Sequence, residues 1–411
     1  MPDQFPFPTG VSVDEARARI VEIAAKYTLP VERVPLAQSL GRVLAAALRA
    51  PRDVPGFANS AMDGFALRGA ELPRVGEKEF RLVGEILAGG LAPPAVTPGC
   101  CVRITTGAVL PPGADSVVMK ENTRSDGDRI VVAAGTEPGA NVRAADEDYR
   151  AGDAALPRGA VLGPAQVAVL AGFGMTQVEV VARPRAVLLT TGDELTEPGA
   201  PLGFGAIYDS NRFSLGGLLE QHEITLLRHE RVRDDPALLR DALRRAGEDA
   251  DLVFSSGGVS AGEADFMPRL IAEIGKVYFW KVRMKPGMPF LCGAIGKAIA
   301  FALPGNPVSG IATFLALVRP GLEAMRGTRP ATPLRARLRE AVSKRHARTE
   351  FQRAQLSCDE NGCLWVQPHE KQGSGMLRGV AETDALAVLP EQGREFAVGD
   401  LVDVLPLPGW P

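Results

Sequence analysis

Three apolar runs decide what the middle of this chain can become. Ala186–Thr190, Asp251–Ser255 and Ala298–Leu303 have strand length and lack the apolar–polar alternation of a half-exposed sheet. Strands of that kind are buried on both faces. Between the first and the second lies an amphipathic helix opened by Pro236, with Leu238, Leu239, Ala242, Leu243 and Ala246 on one face. A further helix follows Pro307 over Val308–Val318. Strands alternating with helices predict an α/β unit with a mostly parallel sheet over residues 181–329.

Each apolar run empties into a loop of small and polar residues. The first continues as Thr191-Gly192-Asp193-Glu194, the second as Ser256-Gly257-Gly258-Val259-Ser260 and on to Glu263 and Asp265. The third continues as Pro304-Gly305-Asn306-Pro307-Val308-Ser309. Ligands of open α/β sheets bind outside the carboxyl ends of the strands, where glycines admit close backbone approach and helix N-termini favour anions. Singly, each loop is an ordinary βα turn; three together predict a ligand site.

The flanking regions have a different texture. Ser12 and Glu15 are spaced as a capping box, with Ala16, Ile20, Ile23 and Ala24 following at helical spacing, and Leu36–Leu48 reads as a second helix. From residue 51 to 139, short β-like runs (Phe80–Leu87, Cys101–Thr106, Asp115–Lys120, Arg129–Ala133) alternate with turn clusters. The chain's 45 glycines and 33 prolines are spread along it without a period, as in a loop-rich protein with many tight turns. After a short helical piece at Pro164–Ala171, alternation returns beyond residue 330, in Leu334–Val342, Glu350–Leu356, Cys363–Val366, Ala385–Leu389 and Leu401–Leu405. The expected division is a helical segment over 1–50 packing with 140–180, a β-rich Gly/Pro-rich domain over 51–139, the α/β domain over 181–329, and a β domain over 330–411.

Composition narrows the chemistry. A formal charge of −3 argues against nucleic acid or an anionic membrane as partner. Leu291–Leu303 is too short and carries Lys297, so no bilayer span is expected, and Met1–Gly10 lacks the apolar core of a secretory signal. Four histidines without ligand spacing and five cysteines without a C-x-x-C leave no Cys/His metal site, and the odd cysteine suits a reducing cytoplasm. Carboxylates, cations and backbone amides remain. Asp193, Glu194, Glu263 and Asp265 fall in the strand-end loops, and Asp234-Asp235 precede the Pro236 helix, where one of the two is its N-cap. Oxygen donors beside a phosphate fit Mg²⁺. As a strand, Lys281, Arg283 and Lys285 form a cationic stripe, equally an anion grip or a solubilised edge. Local positive charge between Arg329 and Arg353, the vicinal Cys100-Cys101 pair (read as core residues), and the Asp63-Gly64 turn are ambiguous singly. No Walker A or complete dinucleotide fingerprint is present.

Seven motifs in order carry a resemblance. They are Asn59-Ser60-Ala61-Met62-Asp63-Gly64, Arg103-Ile104-Thr105-Thr106-Gly107, Thr191-Gly192-Asp193-Glu194-Leu195, Asp209-Ser210-Asn211, Gly257-Gly258-Val259-Ser260, Lys285-Pro286-Gly287 and Leu303-Pro304-Gly305-Asn306-Pro307-Val308-Ser309. Together they resemble the molybdopterin molybdenumtransferase family (MoeA type, related to the E domain of gephyrin) over nearly the whole chain. The resemblance implies a central α/β molybdopterin-binding domain, an elongated segment and a β-barrel-like C-terminal domain. It further implies Mg²⁺-dependent insertion of molybdenum from molybdate into adenylylated molybdopterin, with loss of AMP.

By the same resemblance Asp63, Glu194, Asp234, Asp265, Lys281 and Lys285 are the catalytic set, with Glu194, Asp234 and Asp265 as metal ligands. Thr106, Arg143, Asp148, Thr191, Gly192, Asp193, Ser210, Asn211, Gly257, Gly258, Ser260, Pro304, Gly305, Asn306, Pro307, Ser309, Arg353 and Ser374 are expected to bind substrate. A cytoplasmic homodimer is implied, with Asp63 facing the partner's α/β site, and a contact with the molybdopterin adenylyltransferase is admitted. The chain departs from the pattern at Ala58, where many members have Asp, and at Met288, where many have Lys. The rival readings are the preceding adenylylation step and a gephyrin-like scaffold without catalysis; the β-rich and C-terminal domains favour the transferase.

Overall fold

The protein, a computed structural model, describes residues 6–90, 94–259, 266–392 and 395–407. Its centre is a seven-stranded sheet in the order Thr9–Val11, Lys276–Val282, Leu291–Ile295, Ala298–Leu303, Leu252–Ser256, Arg185–Thr191, Thr225–Val232. The pairings among Ala298–Leu303, Leu252–Ser256, Arg185–Thr191 and Thr225–Val232 are parallel. Leu291–Ile295 is antiparallel to both neighbours, because only a two-residue turn joins it to Ala298–Leu303.

Both faces of this sheet are buried, as the unbroken apolar runs require. Ala186 and Leu188 enter one core with helices Val13–Ala25, Asn211–Gln221 and the helix after Pro307. Val187 and Leu189 enter the other with Pro236–Asp249 and Met267–Ile274. The helix after Pro307 extends beyond the expected Val318: a π-helical turn, Phe314–Val318, leads into Arg319–Arg326. Pro320 supplies no N–H to that helix, and the Ala316 carbonyl accepts Arg17 Nε instead, 3.2 Å away. Residues Pro307–Arg326 are long and apolar enough to cross a membrane, but they are mostly buried inside the fold, as in a core helix.

Two helix starts show local chemistry at work. Ser12 Oγ accepts the Glu15 N–H at 3.1 Å, while the Glu15 carboxylate takes Arg19 one turn on rather than closing a capping box. Asp235 caps Pro236–Asp249 by accepting Ala237 N and Leu238 N. The choice left open in the sequence is thereby made, and Asp234 is released for other work.

The expected helix over Leu36–Leu48 does not form. Only a 3₁₀ turn, Leu36–Gln38, survives, followed by strands Val43–Leu44 and Leu48–Arg49. Gly41 sits at φ +78°, which ends any helix, and Leu44 pairs with Val180 while its N–H goes to Ala160 O. Tertiary pairing overrides the helix propensity of an Ala/Leu-rich stretch. Residues 31–49 thus pack with 154–181 around Leu44, Leu162, Leu170 and Val180. Residues 9–25, by contrast, belong structurally to the central sheet and its helical layer.

The β-rich region carries a six-stranded sheet: Thr123–Asp126, Arg129–Ala133, Glu77–Ile86, Cys100–Ile104, Gly64–Leu67, Ser116–Met119. Cys100 and Cys101 are both buried there as free thiols. At the C-terminus, Thr349–Cys358, Leu364–Pro368, Leu334–Leu338, Leu401–Pro406 and Ala385–Leu389 close into a barrel, since the last also pairs with the first. A short strand of the α/β domain, Met284–Lys285, adds to it beside Thr349 and Glu350.

Candidate active site

A cavity of about 660 Å³ opens at the carboxyl ends of Arg185–Thr191, Leu252–Ser256 and Ala298–Leu303, where the three loops converge. Thr191, Gly192 and Glu194 come from the first loop, Gly257 and Gly258 from the second, and Pro304, Gly305, Asn306 and Pro307 from the third. Ser210 and Asn211, at the start of helix Asn211–Gln221, form another wall. Asn211 ties two loops together by donating to Ser256 Oγ (2.7 Å) and Gly305 O (2.6 Å). Asp234 reaches the cavity from the end of strand Thr225–Val232 and accepts the Thr191 hydroxyl.

Close packing of the second loop needs glycine. Gly257 has φ +101°, and a Cβ there would stand 2.5 Å from Thr191 O. The loops are held at a separation that only hydrogen permits.

Three carboxylates line the cavity, on Glu194, Asp209 and Asp234, and among the described residues no Lys, Arg or His does. Positive potential comes instead from backbone. The helices Asn211–Gln221 and Pro307–Thr313 both begin at the wall, so their N-terminal dipole ends face the cavity. The donor set of carboxylate and hydroxyl oxygens suits a hard divalent ion that shares an anionic ligand. Among the described residues no three His, Cys, Asp or Glu side chains converge as a self-sufficient metal cage. Ser260 and Asp265 lie outside the described residues.

The cationic stripe is an inner strand, not an edge: Lys276–Val282 pairs with Thr9–Val11 on one side and Leu291–Ile295 on the other. Alternation holds, with Trp280, Val282 and Met284 buried. Lys281 lies outside the wall, its ammonium 4.1 Å from the centre of the Trp280 ring; the Trp280 indole donates to Val259 O of the second loop. Lys285 pairs with the buried Glu350 of the barrel at 3.0 Å, and Arg283 with Glu391. Met288 precedes Pro289, a wall residue, and brings no charge to it.

Other expected residues sit at varying removes. Asp193 is exposed and 3.6 Å from Arg233. Ser309 is buried in the helix, two residues past the wall. Ser374 accepts Asn306 Nδ2 at 3.1 Å, and its carbonyl accepts Val308 N, so it fastens the barrel loop that contributes Gly375 and Leu377 to the wall. Arg353 is fully buried and does not line the cavity. Its guanidinium donates to Lys371 O, Gly373 O and Met376 O, which shapes that same loop.

Asp63 and Thr106 meet in the β-rich domain. Asp63 Oδ1 accepts the Thr106 N–H (2.9 Å) and hydroxyl (3.0 Å), and Lys120 stands 3.8 Å from Oδ2. The two Thr106 bonds, chiefly, hold the Asp63 carboxyl below its usual range. Arg143 pairs in register with Asn59, and the Asp148 N–H binds Val54 O. None of these four lines the cavity.

Sequence reasoning missed Thr190, Ile207, Tyr208 and Asp209, all in the wall. Asp209 had a signal in the Asp209-Ser210-Asn211 motif; Thr190 and Tyr208 had none.

Comparison with known proteins agrees across the chain. Residues 11–174 match the family model described as MoeA N-terminal region (domain I and II), 187–324 a probable molybdopterin binding domain, and 335–407 the MoeA C-terminal region (domain IV). The molybdopterin molybdenumtransferase of Haemophilus influenzae is 34% identical over 404 residues, covering 96% of this chain and 98% of that protein. That of a Nostoc species is 34% identical over 388 residues, covering 92% and 89%. A solved MoeA structure from Pyrococcus horikoshii superposes with a TM-score of 0.84 at 29% identity, over 97% of this chain and 100% of that one.

Proposed function

Since the chain belongs to the MoeA family of molybdopterin molybdenumtransferases, we propose that its strand-end cavity inserts molybdenum from molybdate into adenylylated molybdopterin, releasing AMP. The observation that carries this reading is a wall that combines three carboxylates with two helix N-termini and no cationic side chain among the described residues. An anionic nucleotide is stable there only with a divalent ion between it and the carboxylates.

Mg²⁺ fits Glu194 and Asp234, both in the cavity wall, with Thr191 hydrogen-bonded to Asp234. When bound, the ion neutralises phosphate charge as AMP leaves. The protein's own groups do the remaining work. Backbone amides at the helix starts bind the phosphate oxygens, Asn211 holds the loops at fixed separation, and Tyr208, Ile207 and Leu377 give the heterocycle an apolar lip. The substrate's dithiolene sulfurs become the metal ligands, which suits a site without thiolates.

Asp63, Thr106 and Arg143 enter through assembly. In a homodimer, the β-rich domain of one protomer would close the cavity of its partner and place Asp63 over it. The position of these residues away from the cavity of their own chain supports that arrangement. The test is AMP release from adenylylated molybdopterin with and without molybdate and Mg²⁺. Release that requires both is expected. ATP consumption independent of molybdate would instead indicate adenylylation, and no turnover would indicate a scaffold.

A further inference from the structure

Two residues of the cavity wall, Thr190 and Asp209, belong to a buried polar chain that continues to His229 behind the wall. Thr190 Oγ1 is 2.7 Å from Asp209 Oδ2 and 2.8 Å from His229 Nε2. Thr190 is 0% and Asp209 1% exposed, and the His229 side chain 10%. His229 stands opposite Leu188 across the parallel pair of strands, two residues from Thr190, so its ring shares that face of the sheet. The other three histidines are elsewhere: His222 against Phe314, His346 beside Glu350, His369 beside Glu382.

The hydroxyl has one proton, and its direction follows from the neighbours. Asp209 is buried, and its other oxygen accepts the Arg212 N–H at 3.0 Å in the first turn of Asn211–Gln221. A buried carboxylate keeps every donor within reach, so Thr190 donates to Asp209. The hydroxyl oxygen is then an acceptor for His229, which must carry its proton on Nε2. Burial first, then Arg212, keeps the imidazole pKa below its usual value, against the pull of Asp209, Glu197 and Glu230.

We propose that His229 is a positioning residue for this site: through Thr190 it orients Asp209, and with it the start of the helix that carries Ser210 and Asn211 to the cavity. The inference rests on the reading of the cavity as the adenylate site. His229 touches no substrate; it acts by removing the freedom of a hydroxyl and a carboxylate that would otherwise turn away from the helix end.

AMP in the presence of Mg²⁺ is the probe, titrated calorimetrically into the full-length protein. Losing one hydrogen bond of this chain is expected to weaken AMP about fivefold in His229→Leu. His229→Gln, whose amide can donate to the same oxygen, should stay within about twofold of the parent. Thr190→Val, which loses both bonds of the hydroxyl, should weaken AMP at least as much as His229→Leu, and the double variant should be no worse than Thr190→Val, because both cut one chain. A long-range ¹H–¹⁵N spectrum of the parent should show the Nε2–H tautomer. A folded His229→Leu protein that binds AMP as the parent does, a Gln variant as weak as the Leu variant, or an Nδ1–H tautomer would each overturn the proposal. Should His229→Leu fail to fold, His229→Gln, Thr190→Val and the tautomer decide it. A parent that does not bind AMP would refute the adenylate reading itself, a result distinct from failure of the His229 chain.

Discussion

Separating Asp63 from Asp234 tests whether two chains build one site. Asp63 belongs to the β-rich domain and Asp234 to the cavity wall, and only the second lines the cavity of its own chain. The Asp63 side chain is exposed and, among the described residues, meets Thr106 and, at longer range, Lys120, so Asp63→Ala should fold normally. Asp234→Ala removes the partner of the Thr191 hydroxyl and one proposed metal ligand. Each variant alone is expected to lose about a hundredfold or more of turnover, as removal of one preorganised polar group from an active site commonly does. Mixing the two, with dissociation and reassociation, should restore activity. In a heterodimer the Asp63→Ala chain offers an intact cavity and the Asp234→Ala chain an intact Asp63, so one of its two sites is complete. Random pairing makes about half the dimers mixed, and recovery should approach about a quarter of the parent rate per chain. The assay is AMP release after mixing at equal concentration. No recovery, with heterodimers demonstrated by differential tagging, would refute a site shared between subunits.

Two further perturbations probe the cavity and the core behind it. Gly257→Ala would push a Cβ to 2.5 Å from Thr191 O at φ +101°; about 1–3 kcal/mol of stability and about a hundredfold of turnover should be lost, read by urea unfolding and AMP release. Gly305→Ala, whose nearest neighbour would be Gly257 Cα at 3.6 Å, should leave the urea midpoint unchanged. His222, packed on Phe314, is held at a pKa of about 4 by burial and by Arg319 and Arg326, against 6.5 unperturbed. The folded state therefore resists a proton that the unfolded chain accepts, so stability should fall as pH drops from about 6.5 toward about 4, by up to about 3 kcal/mol. Urea unfolding of the parent and His222→Phe at the two ends of that range should show the steeper slope in the parent, since His229, also depressed by burial, titrates in both.

Much of the α/β layer was legible from local pattern. Ala298–Leu303 and Ala385–Leu389 are strands at their expected bounds, and Asp251–Ser255 differs by one residue. These runs are apolar because their burial is set by the sheet they join, and burial is what a hydrophobic run records. Leu36–Leu48 failed for the complementary reason. Its Ala/Leu content favours a helix by tenths of a kcal/mol per residue, while pairing with residues 160 and 180, far along the chain, outweighs that preference.

The site divides in the same way. Sequence by itself determined which loops end the parallel strands, since small residues after a buried apolar run mark the point where backbone leaves the sheet. It also pointed to oxygen and backbone donors, because its few histidines and cysteines lack the spacing of a metal site. Only the tertiary structure decided which of two adjacent aspartates caps a helix and which faces the cavity, that Lys285 is engaged by Glu350, and that Arg353 shapes a loop from inside the barrel. It alone set His229 beside Thr190. A charge or hydroxyl takes its role from the group it meets, and those partners lie tens of residues away in sequence. Apolar periodicity records burial but not the identity of the neighbour.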